Sequence, residues 1–193
     1  MNAEFLTDKL QRYIPVRQDQ VEFMLSLMNP IELNRKEFLL MAGNRCDYFS
    51  LVEQGVMMNY FSDENGEDHV LQFAVPMWWT ADLYSLVHGS ISSYSIQALT
   101  PARLLRISRA DLELLYDEQP LFERYFRIIF QNALMAHQRR IIQGIAYSAE
   151  ERYLKFQEDY PEWEQLIPQK YIASYLGMSA EFLSKVKKAL SHK

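Results

Sequence analysis

The chain changes its apolar period once, close to Ser108, and that single change limits what it can become. Between Ile31 and Ser108 the apolar residues come in strand-length runs: Phe38-Leu39-Leu40-Met41, Tyr48 to Val52, Val56 to Phe61, Val70 to Phe73, Ser93 to Ala98 and Arg103 to Ile107. Gly43, Gly55, the Asp63-Glu64-Asn65-Gly66 tip and Thr100-Pro101 punctuate them. Asn-Gly between two such runs favours a tight turn, because both residues tolerate positive φ. Five or more short strands with glycine at the turns predict a small antiparallel barrel or sandwich. Two helical stretches precede it, one through Phe5, Leu6, Leu10 and Tyr13, the other through Val21, Met24, Leu25 and Met28. Strands followed by helices give an α+β fold class.

Beyond Ser108 the spacing stays helical. Ser108-Arg109-Ala110-Asp111 and Ser148-Ala149-Glu150-Glu151 read as capping boxes, in which the hydroxyl accepts an orphan backbone N–H. A proline-free helix is predicted from Leu121 to about Gly144. Phe122, Phe126, Ile129, Phe130, Ala133, Leu134 and Ala136 form one broad stripe on it, wider than packing on a single neighbour requires. One side of the helix is therefore assigned to the barrel. The other is assigned to a second subunit, with Phe126, Ile129, Phe130, Ala133, Leu134 and His137 as candidate dimer residues. The alternative, a stripe that is only intramolecular core, stays open because no strict heptad is present.

The end of the chain differs in charge. Overall the protein carries −5, but Pro168 to Lys193 holds five lysines and one acid, Glu181, a local +4 that leaves the rest at −9. A polyanion responds to the local field, not the total. Within this segment Ile172 and Ala173 fall on one helix, Leu176-Gly177-Met178 on a turn, and Leu183 and Val186 on a second helix. Ala173 is small where two helices cross, Gly177 supplies the positive φ that ends the first, and Ser179 caps the second. Ala180, Glu181, Ser184, Lys185 and Lys188 are left pointing outward. With Gln169, Lys170 and Ser179, they are the candidate contacts to double-stranded DNA, a carboxylate at Glu181 being suited to the cytosine amino group.

The order of these parts resembles the Crp/Fnr family of bacterial transcription regulators. The segment Pro168-Gln-Lys-Tyr-Ile-Ala-Ser-Tyr-Leu-Gly-Met-Ser-Ala-Glu-Phe-Leu-Ser-Lys-Val is similar to the branch common in Bacteroidetes-type bacteria. The resemblance implies a cyclic-nucleotide-binding-like antiparallel jelly roll over residues 1–117, a central dimerisation helix over 118–144 and a helix-turn-helix DNA-binding domain over 145–193. It implies a homodimer on palindromic promoter DNA, with RNA polymerase as a further candidate partner. Where the family's recognition helix has an Arg-Glu-x-x-x-Arg pattern, this chain has Ala180-Glu181 and Lys185, so a different target sequence is expected. Many relatives continue into a β-hairpin wing, whereas this sequence stops five residues after Lys188, predicting a shallower salt dependence of binding.

The family's cyclic-nucleotide site departs further. Its Gly-Glu and Arg-Ser pairs correspond here to Ala81-Asp82 and Ser92-Ser93. Without the arginine a cyclic phosphate lacks its charged partner, so neither cAMP nor cGMP is expected as a ligand. Trp78, Trp79, Asp82, Tyr84, Ser92 and Ser93, with Tyr94, are the candidate ligand-pocket residues. They either line a pocket for an unknown small-molecule effector or fill the barrel.

Several classes are excluded from expectation. Cys46 is the sole cysteine, too few for an iron–sulfur cluster and consistent with a reducing cytoplasm. His69, His88, His137 and His192 are scattered, with no spacing that suggests metal or haem. No apolar run is long enough for a membrane span, and the acidic N-terminus lacks the character of a signal peptide. No nucleophile elbow, Walker loop or dinucleotide fingerprint is present, so an enzyme is not expected. The competing reading is a small-ligand or protein-interaction sensor whose terminal helices meet a protein partner instead of DNA.

Overall fold

The structure is a computed structural model describing residues 2–191. Met1, His192 and Lys193, including one histidine and one lysine of the sequence argument, lie outside the described residues.

Helices α1 (Ala3–Leu10) and α2 (Gln18–Ser26) lead into strands β1 (Asn29–Leu33), β2 (Phe38–Leu40), β3 (Tyr48–Gln54), β4 (Met57–Ser62), β5 (Asp68–Ala74) and β6 (Trp79–Thr80). The short α3 (Leu83–His88) precedes β7 (Ser95–Ala98) and β8 (Ala102–Ser108). Helices α4 (Arg109–Glu118), α5 (Leu121–Ala146), α6 (Ala149–Asp159), α7 (Trp163–Leu166), α8 (Gln169–Tyr175) and α9 (Ala180–Leu190) complete the chain. The strands form two antiparallel sheets of a jelly roll, ordered β1-β8-β3-β6 and β2-β7-β4-β5. Strand β1, opening at Asn29-Pro30, and the two-residue β6 are additions to the strands read from sequence. Proline is tolerated in β1 because that strand is an edge.

Local chemistry explains the breaks. Gly55, at φ 89°, sits so close to the β7–β8 turn that a Cβ there would come within 2.4 Å of the Pro101 carbonyl oxygen. Ser108 caps α4 by accepting the Asp111 amide, while Ser148 and Glu151 form a complete reciprocal box at the start of α6. The β4–β5 tip is looser than the sequence suggests. Asp63 closes a five-residue loop by accepting the amides of Asn65 and Glu67, and of the Asn-Gly pair only Gly66 has positive φ.

Strand β4 is buried on both faces, which accounts for a largely apolar run interrupted by Asn59, whose side chain accepts the Thr80 hydroxyl. Met57 points into the barrel with Phe49, Leu51, Ile96 and Leu104. Its neighbour Met58, with Val56 and Tyr60, points the other way and joins Val70 and Phe73 beneath the C-terminal helices. The second core contains Tyr153, Phe156, Trp163, Ile167, Ile172, Ala173, Leu183 and Val186. The helical module is thus seated on the outer face of the second sheet.

Candidate nucleic-acid interface

Helices α8 and α9 form the tight pair expected of residues 169–188. Gly177 takes φ 68°, and the Met178 amide reaches back to the Ala173 carbonyl at 3.0 Å, closing the first helix. The Ser179 hydroxyl accepts the Phe182 amide at 3.1 Å and starts the second. Ala173 is fully enclosed, and Leu183 and Val186 are buried beneath α9. Burial of two such side chains contributes about 1.5–3 kcal/mol each toward holding the outer face in place.

That outer face presents Glu181, Ser184, Lys185 and Lys188, all exposed, with Ser179 exposed and Ala180 half-buried at its start. Gln169 and Lys170 are exposed at the head of α8. Gln169 donates from Nε2 to Ser184 Oγ at 2.7 Å, so it serves first as a tie between the two helices. Glu181 is held below the usual carboxylate range by its own backbone amide and the Ser179 hydroxyl, and is therefore an ionised acceptor near neutrality. Phe182, half-exposed beside these groups, was not foreseen. An exposed aromatic in the first turn offers apolar contact to a thymine methyl.

The lysine count overstates the positive face. Lys187 turns away from it and bonds Glu164 at 2.8 Å, over the Tyr153 ring. The phase was available in the sequence, because Lys187 lies four residues after the buried Leu183 and shares its side of the helix.

Edge strand β5 connects this pair to the barrel. Ser174 on α8 donates to the Asp68 carbonyl and accepts the Val70 amide. Arg140 on α5 donates to the carbonyls of Val70 and Leu71 and stacks 4.3 Å from the Tyr175 ring centre. The free backbone groups of an edge strand are thereby covered by side chains of the helical module and α5. Trp78 meets Trp163 and Tyr160 edge-on at 5.6 and 6.4 Å, adding an aromatic contact across the same junction.

Residues 30–119 match the cyclic nucleotide-binding domain family. In three dimensions the chain is similar to the c-di-GMP-responsive global regulator CLP of Xanthomonas campestris, at 15% identity over 91% of this chain and 92% of that one, with a TM-score of 0.74. It is also similar to FixK2 from Bradyrhizobium japonicum, at 16% identity over 86% and 85% of the two chains, TM-score 0.74. The fold is that of the Crp/Fnr regulators. A third similar structure is the catabolite activator protein of Thermus thermophilus, at 18% identity over 92% and 85%, TM-score 0.59. No curated protein matches the sequence.

Within the Crp/Fnr fold, the candidate ligand-pocket residues are divided among several places, Trp78 and Tyr94 lining one cleft together. Asp82 and Ser92 are both buried, but they bond each other at 2.6 Å. Asp82 also caps α3 through the Ser85 amide, and the Tyr94 hydroxyl donates to the Ala81 carbonyl. Trp79 is a packing residue, its indole N–H donating to the Tyr125 hydroxyl and its ring against Phe49 and Phe126. Trp78 belongs to the junction with the helical module, Tyr84 stands 68% exposed beside His88, and Ser93 is exposed. Trp78, just before β6, and Trp79, its first residue, thus point to opposite sides. A cavity of about 210 Å³ remains near Cys46, Ala81 and Arg106. The Cys46 thiol is buried, and burial pushes its pKa up, so it is no nucleophile.

On α5 the broad stripe separates into two faces. Phe126 is 1% exposed in the barrel core and so is closed to a second subunit, while Ile129 packs partly against that core and stays half-exposed. Phe130, Ala133, Leu134 and His137 are exposed, and the apolar face continues beyond them through Ile141 and Ile145, the latter 82% exposed. His137 is exposed as a whole residue, but partial desolvation of its ring and the Arg140 guanidinium push its pKa down, so the ring is neutral near pH 7. At the β4–β5 tip Asp63, Glu67 and His69 lie together, a carboxylate–imidazole grouping the spacing did not announce. Asp63 is already engaged by His69 and two amides there.

Proposed function

We propose that the protein is a DNA-binding transcriptional regulator that acts as a homodimer and reads promoter DNA with α9. The observation that carries this reading is the α8–α9 pair itself: a glycine turn and serine cap hold one face of α9 in the core and leave Glu181, Ser184, Lys185 and Lys188 exposed. Base edges in the major groove are reached from the first turns of such a helix, while lysines contact phosphate. The exposed apolar face of α5 supports the dimer, which sets two recognition helices for a palindrome.

The barrel is read as a sensor that has lost its cyclic-nucleotide site, with neither haem nor an iron–sulfur cluster. Asp82 occupies Ser92 where the resemblance calls for a cyclic phosphate, and a second anion beside a carboxyl group is disfavoured.

Selection of bound fragments from a random DNA pool tests the reading. A palindrome with half-sites about one helical turn apart is expected. Retention should vanish in the Glu181→Ala/Lys185→Ala double variant while thermal unfolding stays as in the parent. Undiminished binding by that variant removes α9 as the recognition helix.

A further inference from the structure

Among the described residues of α9, Phe182 is the only large apolar side chain that the core does not take up. Leu183 and Val186 are buried and Leu190 packs partly against them, whereas Phe182 stands 49% exposed. Its ring meets no other ring and no cation among the described residues. A single exposed apolar residue is ordinary on a protein surface; the place of this one is not. Its own amide is the one that the Ser179 hydroxyl accepts at 3.1 Å, so the cap that starts α9 also pins the backbone carrying the ring. Helical phase sets it on the flank of the outward face, with exposed Glu181 before it and exposed Lys185 three residues on.

We propose that Phe182 makes α9 a reader of thymine, through the C5-methyl group of a base next to the pair that Glu181 addresses. This assignment rests on the DNA-binding reading above and adds to it a base that α9 prefers. The thymine methyl is the apolar group that base pairs present in the major groove. A carboxylate or an ammonium gains nothing from it, whereas a phenyl ring removes the methyl and its own exposed edge from water together. The face then divides its tasks by chemistry. Glu181 accepts from an amino group, Lys185 and Lys188 supply positive charge, and Phe182 detects the methyl.

The full chain is titrated with the duplex selected from the random pool, each thymine of one half-site being replaced in turn by deoxyuridine. That exchange removes the methyl and leaves the pairing edge intact. At one position the parent should bind the uracil duplex about fourfold more weakly, the effect of burying a single methyl. Phe182→Ser should bind the thymine and uracil duplexes alike, while Phe182→Leu, still apolar, should keep a preference for thymine. The salt dependence should be the same for both duplexes, since no charge is removed. Equal binding by the parent at every position, or a thymine preference that survives in Phe182→Ser, overturns the assignment. The parent comparison needs no variant, so it decides the claim even where Phe182→Ser unfolds. A parent that retains no DNA fragment overturns the DNA-binding reading and this one together. A selected site with no methyl-sensitive position overturns the role of Phe182 alone.

Discussion

The Ser174 hydroxyl accepts the Val70 amide at 2.9 Å while donating to the Asp68 carbonyl at 2.8 Å. One side chain on the first helix of the C-terminal pair thus stands in for a missing neighbouring strand. Ser174→Ala leaves both backbone groups to find water or stay unpaired, at a cost of about 1–3 kcal/mol. The Val70 amide should exchange faster in this variant by hydrogen-exchange mass spectrometry, with the interior of β3 and β8 unchanged.

Gly55 and Gly66 both have positive φ, but only Gly55 is crowded. Alanine at position 66 meets open space and pays backbone strain alone, about 1–2 kcal/mol. At position 55 the new Cβ also collides with the turn at Pro101 and Ala102, so a loss of about 3 kcal/mol or more is expected. Urea denaturation of the two variants measures the difference.

Glu164 is drawn two ways. Burial raises its pKa, but the Lys187 ammonium and the hydroxyl and amide of Tyr153 and Gln157 outweigh that, leaving it below the ordinary 4.5. A carboxylate depressed in the folded state adds stability above its unfolded pKa, and that contribution disappears as pH falls through the folded value. Glu164→Gln should therefore lower thermal stability at neutral pH and flatten its decline below pH 4.5, seen in melting curves across an acid series.

The exposed face of α5 predicts a change of assembly without a change of fold. Leu134→Glu/Ile145→Glu places charge on two side chains that are 59% and 82% exposed. Sedimentation should show a monomer for the variant and a dimer for the parent, with thermal unfolding of dilute samples little altered.

Two residues of α9 should fail differently on DNA. Lys188→Ala removes a phosphate contact and should reduce the slope of log affinity against log salt by about 1, for all sequences alike. Glu181→Ala should relax discrimination at one base pair by about 1–3 kcal/mol and leave the slope in place. Competition binding over a salt series, with single-base variants of the selected site, distinguishes them.

Much of this architecture was written in periodicity. The switch near Ser108, the long helix and the turn at Gly177 follow from residue type and spacing, because glycine conformation and apolar phase are local properties. Contacts made across the fold left no such trace. Nothing in the stretch between them marks Asp82 and Ser92, ten positions apart, as partners, and Ser174 looks like filler in a short helix until β5 is beside it. Lys187 is an intermediate case: helical phase alone places it with Leu183, but the acid that meets it, Glu164, lies 23 residues away. Trp78 and Trp79 illustrate the same limit, since nothing in the adjacent pair says that one meets the terminal helices and the other the barrel core.

Met57 and Met58 are consecutive, yet one fills the jelly roll and the other the floor beneath the terminal helices. Only a single peptide unit separates a change of volume at the first from the packing of the second. Swapping Met57 for a smaller side chain would thus test whether the two compartments communicate mechanically, with no ligand at all.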